Sequence, residues 1–250
     1  MWHDLLTSDS YKQLGKVTFH EDIVRDLELA IHKGNENEVR KILKSGMVDL
    51  DVLYGTDVCP LINSARRGWR NVVKYLLEEG ADVNKRLGQS GQTVLHEAAR
   101  KGHYDVAKLL IARGANISVH DNMIDTPLHA ASFESHTNVV KLLLDAGVDA
   151  NMLGQGGRTA LYEAAMKGHC DVAKLLIARG ANINVRENMI NMTPLHAASH
   201  YSHTNVVKLL LDAGADVNAR NNFGRTPLYF ALHCSNTKTI DYLMERGGRT

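Results

Sequence analysis

The chain has 250 residues, 44% hydrophobic and 23% charged, which is the balance of an ordinary globular protein. A formal net charge of +1 provides no overall positive field for wrapping duplex nucleic acid. Lys108, Lys141, Lys174 and Lys208 cut the most hydrophobic stretches well short of the roughly 18 apolar residues that a membrane-spanning helix needs.

From the N-terminus, MWHDLLTSDSYKQLGK lacks the charged-then-apolar pattern of a secretion signal. Residues 1–25 are expected to form a capping helix or a tail. Cys59, Cys170 and Cys234 are scattered and odd in number, which predicts thiols in a reducing compartment, cytoplasmic or nuclear. Beyond residue 25 one spacing dominates. Gly46, Gly80, Gly114, Gly147, Gly180, Gly214 and Gly247 follow one another at intervals of 33 or 34 residues. A period of this size marks stacked supersecondary units, each burying its apolar face only against a neighbour. Seven units are expected, at about 26–53, 54–86, 87–119, 120–152, 153–186, 187–220 and 221–250.

The unit at 120–152 shows the logic. His120 to Asp125 is polar and turn-like. Thr126 as N-cap and Pro127 in the first turn predict a helix with a small face at Leu128, Ala130 and Ala131. Thr137 is expected to cap a second helix bearing Val139, Val140, Leu142, Leu143 and Leu144. Gly147 ends it, because glycine enters the left-handed region cheaply. The copy HTNVVKLLLDAG recurs at 136–147 and 203–214, and Asp105–Ile117 is repeated at Asp171–Ile183. The copies differ mainly at inner-helix ends, such as Arg100/Met166, Phe133/His200 and Glu134/Tyr201, and in the loops. That contrast fits either recent duplication or a conserved outer side that supports a variable, partner-reading inner side.

Thr126-Pro127-Leu128-His129-Ala130-Ala131, Gly102-His103 and Gly214-Ala215-Asp216-Val217-Asn218 resemble the TPLH-x-A, GH and GADVN pattern of ankyrin repeats. The resemblance spans about residues 26–250. It implies an all-α solenoid of paired antiparallel helices with projecting β-hairpin or loop fingers. It also implies a protein-binding module whose first helices and fingertips line a concave surface. The alanine-rich first helices agree with a bend on that side.

The two residues before each GH position are expected to project from the inner helices. They are His32-Lys33, Arg66-Arg67, Arg100-Lys101, Phe133-Glu134, Met166-Lys167, His200-Tyr201 and His233-Cys234. The early layers are basic and the middle layers aromatic or apolar, a pattern that suits an acidic peptide with hydrophobic anchors. The expected contacts are Arg66, Arg67, Arg100, Lys101, Phe133, Glu134, Met166, Lys167, His200 and Tyr201, joined by Met123 and Met189 at fingertips. Ile124 and Ile190 stand where other fingers carry Gly91, Gly157 and Gly224, so those two fingers are expected to turn differently.

His196, His200 and His203 share a helical face, but two of them occupy recurring TPLH and GH positions, so a structural role is expected and no metal. No phosphate loop, dinucleotide fingerprint, HExxH or GxSxG is present, so neither catalysis nor a cofactor is expected. The alternative function is nucleic-acid binding by the Arg66, Arg67, Arg100 and Lys101 stripe, which the neutral net charge opposes. Within the binding class, the resemblance also allows a ubiquitin-ligase substrate receptor, a transcription cofactor or a pathogen or symbiont effector. A monomer is expected.

Overall fold

The computed structural model describes residues 22–23, 25–45 and 59–250. The expectations for residues 1–21 and for the join at 46–58 fall outside them. Fourteen α-helices follow as antiparallel pairs among the described residues: α1 (25–32) with α2 (Glu36–Lys44), α3 (Pro60–Arg66) with α4 (Arg70–Glu78), α5 (Val94–Arg100) with α6 (Tyr104–Ala112), α7 (Pro127–Phe133) with α8 (Thr137–Asp145), α9 (Ala160–Lys167) with α10 (Cys170–Ala178), α11 (Pro194–His200) with α12 (Thr204–Asp212), and α13 (Pro227–His233) with α14 (Thr237–Glu245). Odd-numbered helices form an inner row and even-numbered helices an outer row, the inner row being the more closely packed. Ala98, Ala99, Ala131, Ala164, Ala165 and Ala198 are fully buried and permit that approach. Val139, Val140 and Leu143 and their counterparts fill the outer row. One apolar core runs from Leu27 to Leu243.

Threonine in the extended region starts each inner helix from α5 onward, at Thr93, Thr126, Thr159, Thr193 and Thr226. In three of these units the TPLH histidine completes the start. The Thr93, Thr126 and Thr193 amides donate to Nδ1 of His96, His129 and His196 at 3.1, 3.3 and 3.1 Å. Nδ1 is therefore the unprotonated nitrogen, and Nε2 carries the hydrogen. Each Nε2 donates across to the next unit, to the carbonyls of Asp125, Arg158 and Arg225, all at 3.1 Å. The GH histidines point the other way. His103, His136, His169 and His203 donate through Nε2 to the carbonyls of Arg66, Arg100, Phe133 and Met166 in the preceding unit. Gly102 leaves room for this: its φ is +72°, and a Cβ there would collide with the His136 ring.

Two local expectations need correction. Thr137 is the first helical residue of α8, not its cap; His136 holds the N-cap position and uses its ring to reach Arg100. Ile124 does not force a different turn. Its φ is +68°, in line with +62° at Gly91 and +70° at Gly224. Asp121 imposes the turn, its Oδ1 accepting the Met123 and Asp125 amides at 2.9 and 3.0 Å. The longer finger places the positive φ at Asn191, not Ile190. There the longer Glu187 side chain spans the extra residue, accepting the amides of Met189, Ile190 and Met192.

The fingers are loops, and antiparallel pairing among the described residues is confined to the Arg86–Thr93 bridge. Adjacent fingers are tied by backbone bonds, Asn122 N to Ser90 O at 3.0 Å, Asn188 N to Gly156 O at 2.7 Å and Asn222 N to Ile190 O at 3.0 Å. At their bases Asn84 and Asn151 accept the amides of Asn116 and Asn182 in the next unit, at 2.8 and 2.7 Å.

The buried imidazoles give the stack an acid-side weakness. Burial holds His96 and His129 below the ordinary histidine value and pushes His196 from 6.5 down to about 4. Because the unfolded chain takes up these protons first, their stability contribution is complete above about pH 6.5 and lost as pH falls towards the folded values. His196 alone removes about 2 kcal/mol by pH 5. Urea denaturation at pH 7.5 and 5.0 is expected to show this loss; equal midpoints would contradict it.

Candidate partner-binding surface

The ends of the inner helices and the fingers form one face, and two adjoining depressions in it share Arg158. The first is about 290 Å³ and is lined by residues of α5, α7, α9 and their fingers, including Arg100, Asp125, Phe133, Glu134, Arg158 and Glu163. The second is about 320 Å³ and mainly apolar, with Tyr162, Met166, Met189, Ile190, Met192, His200, Tyr201 and Phe230 around it. Tyr162, Met192, Ala197 and Phe230 make a small apolar cluster apart from the main core, with Met166, Ile190 and Tyr229 against it. His200 packs edge-on to Tyr201 and Phe230, at centroid distances of 4.8 and 5.5 Å.

The second depression gathers four of the residues singled out by the sequence: Met166, Met189, His200 and Tyr201. Met189 is 72% exposed and Tyr201 51%, so both present apolar area to solvent on a fixed frame. The first depression takes Arg100, Phe133 and Glu134. Lys167 lies beside it, its Nζ 4.1 Å from the centre of the Phe133 ring. Met123 is an exposed fingertip residue outside both depressions, as are the surface cations Arg67 and Lys101. Arg67 donates to His32 Nδ1 at 2.6 Å, and neither Arg67 nor Lys101 pairs with a carboxylate among the described residues.

The basic stripe is less uniform than its sequence suggests. Glu97, only 1% exposed, sits between Arg66 and Arg100. Arg66 Nε donates to its Oε2 at 2.9 Å, and Arg100 Nη2 reaches Oε1 and Oε2 at 2.9 and 2.8 Å. Burial alone would raise the Glu97 carboxyl; the Arg66 hydrogen bond and the charges of Arg100 and Arg66 outweigh it, and the group is held below the usual carboxylate range. Two of the four expected stripe cations are therefore engaged by a carboxylate of the protein itself.

Glu163 occupies the position in α9 that Glu97 occupies in α5, and its surroundings are reversed. It is 8% exposed and has one long contact, 3.5 Å from Oε1 to Arg158 Nη1. Its Oε2 has no hydrogen-bond partner, and neither has the buried Nε of Arg158. Burial raises the Glu163 carboxyl above the usual range, and Arg158 only partly offsets it.

The TPLH and GH histidines of the 187–220 unit serve structural hydrogen bonds. His196 uses Nδ1 towards Thr193 and Nε2 towards Arg225, and His203 donates Nε2 to Met166 O. Of the lining groups, sequence reasoning did not single out Tyr162, Arg158, Glu163, Glu187 or Phe230. Phe230 and Tyr229 were legible as departures from the repeat at TPLYF, where the units at 120–152 and 187–220 have alanine and histidine.

Comparison with known proteins agrees with this geometry. The family model for ankyrin repeats (3 copies) matches residues 27–121 and 117–187, and that for ankyrin repeats (many copies) matches 164–211 and 195–244. The chain belongs to the ankyrin-repeat family, whose members are generally protein–protein interaction modules. A search of curated proteins finds no match. Among solved structures, the crystal structure of the human ASB11 ankyrin repeat domain is similar, with a TM-score of 0.81 and 27% identity over 90% of this chain and 98% of that one.

The two glutamates should respond in opposite ways to loss of charge. Glu97→Gln is expected to cost about 2 kcal/mol, because the two guanidiniums lose the negative charge and one of the two acceptor oxygens they share. Glu163→Gln should leave stability within about 0.5 kcal/mol or raise it, since the lost carboxylate is poorly paired. Denaturation of both variants at neutral pH measures the difference, and equal losses would contradict the assignment.

Proposed function

We propose that the chain binds an elongated segment of a partner protein along the face made by its inner-helix ends and fingers. The observation that carries this reading is the apolar depression around Met189, Tyr201, Met166 and His200. It exposes large apolar side chains on a wall already ordered by the Glu187 turn and the Tyr162–Phe230 cluster. Such a wall loses little conformational entropy when a partner docks, so most of the burial appears as affinity.

The electrostatic side of the proposal is graded along the stack. Arg67 and Lys101 remain displayed at the early layers, where an acidic stretch of the partner is accommodated. Glu134 and Glu163 mark the middle layers, so attraction to acid does not extend down the whole face. Nucleic-acid binding would draw on all four stripe cations, and Glu97 engages two of them. No described helix is long and apolar enough to cross a membrane. The proposal is a non-catalytic, monomeric adaptor of the cytoplasm or nucleus.

Affinity purification with the intact chain, beside a Met189→Ala/Tyr201→Ala double variant, tests the reading. The double variant is expected to recover at least roughly tenfold less partner with an essentially unchanged Tm. Equal recovery by both baits would place the partner elsewhere.

A further inference from the structure

The duplicated halves of the chain allow one position to be compared in two settings. Thr93-Val94-Leu95-His96-Glu97 in α5 corresponds to Thr159-Ala160-Leu161-Tyr162-Glu163 in α9, so Glu97 and Glu163 are equivalent, 66 residues apart. At Glu97 two guanidiniums complete the site. Arg66 comes from the end of the preceding inner helix, and Arg100 lies three residues on in the same helix. The equivalent positions around Glu163 are Phe133 and Met166. The acid has been kept and both of its internal cations have been replaced by apolar side chains.

The consequences are visible in the structure. Glu163 remains buried, its Oε2 has no partner, and it lines the depression that Phe133 and Glu134 also line. Arg158 approaches only to 3.5 Å, beyond a good hydrogen bond, while its guanidinium lies over the Tyr162 ring, 5.3 Å from the centre. Asp125 adds negative charge but is already engaged, its Oδ1 accepting the Gln155 amide at 3.0 Å. Lys167 is the nearby exposed cation, drawn over the Phe133 ring. An under-paired buried carboxylate is costly, and a donor supplied from outside would relieve that cost.

We propose that Glu163 is the socket for an arginine of the partner protein, whose guanidinium takes the place that Arg66 and Arg100 fill at Glu97. Phe133 and Met166 flank the arginine stem. The adjoining apolar depression around Met189 and Tyr201 receives a large apolar side chain of the same segment. This rests on the binding face proposed above and adds the chemistry of what it selects. Arginine is favoured over lysine because both cations serving the sister glutamate are guanidiniums, and a planar fork can satisfy both carboxylate oxygens at once.

The test is a random-peptide display library panned on the full chain, followed by titration of synthetic selected peptides. The expected consensus has an arginine next to a large apolar residue. Replacing that arginine with citrulline, which keeps the shape and removes the charge, should weaken binding more than roughly tenfold to the wild type and less than roughly twofold to Glu163→Gln. Restoring the internal pair with Phe133→Arg/Met166→Arg should abolish peptide binding without lowering Tm. Peptides that depend on Tyr201 but tolerate citrulline, or that select lysine alone, would overturn the arginine socket and leave the binding face standing. Failure to select any peptide that depends on Tyr201 would overturn both.

Discussion

The regularity of the stack rests on joints made by histidine rings that hydrogen-bond one unit to the next. His96, His129 and His196 each accept a threonine amide through Nδ1 and donate through Nε2 to a carbonyl of the next unit. A protonated ring could not make the first bond, and the other tautomer could make neither as observed. The GH histidines supply a second joint towards the preceding unit. The GH joint is present in every unit whose outer helix is one of the duplicated copies, α6, α8, α10 and α12, so those outer helices meet like surroundings and can be written twice in nearly the same letters.

Two later units lack the first joint. Tyr162 and Tyr229 stand where the TPLH histidine stands elsewhere, and the separate aromatic cluster forms around them with Phe230 and Met192. The side chains that make the inner face distinctive thus gather where the repeat's own polar link is absent. The same logic applies to the two equivalent glutamates. At Glu97 the layer-to-layer contact is an ion pair to Arg66, whereas Phe133 and Met166 leave the buried Glu163 with one oxygen unpartnered. The repeat departs from itself where a cross-layer partner is absent.

Much of this was legible in the sequence, because a fixed period maps each residue onto its neighbours. The glycine spacing, Thr126-Pro127 and Gly147 led directly to helices of the right length and order. Met166, His200 and Tyr201 stood out as positions that vary between the copies and Met189 as a fingertip residue, and the fold brings them to one depression. Three things were hidden. Side-chain reach across a layer brings Arg66 to Glu97, where Arg100 joins it from three residues on in the same helix, and net charge says nothing about that. Ile124 at φ +68° broke a backbone preference because Asp121 holds both sides of the turn. The extra residue of the second unusual finger was absorbed by the longer acid Glu187, which a helix-centred reading passes over.

The imidazole joints can be observed directly by nitrogen-15 NMR of the histidine side chains at pH 7. The structure predicts neutral rings protonated at Nε2 for His96, His129 and His196, with slowly exchanging Nε2–H signals and hydrogen-bonded Nδ1. Rings protonated at Nδ1, or averaging freely between charged and neutral forms at that pH, would contradict the account of how the layers are held together.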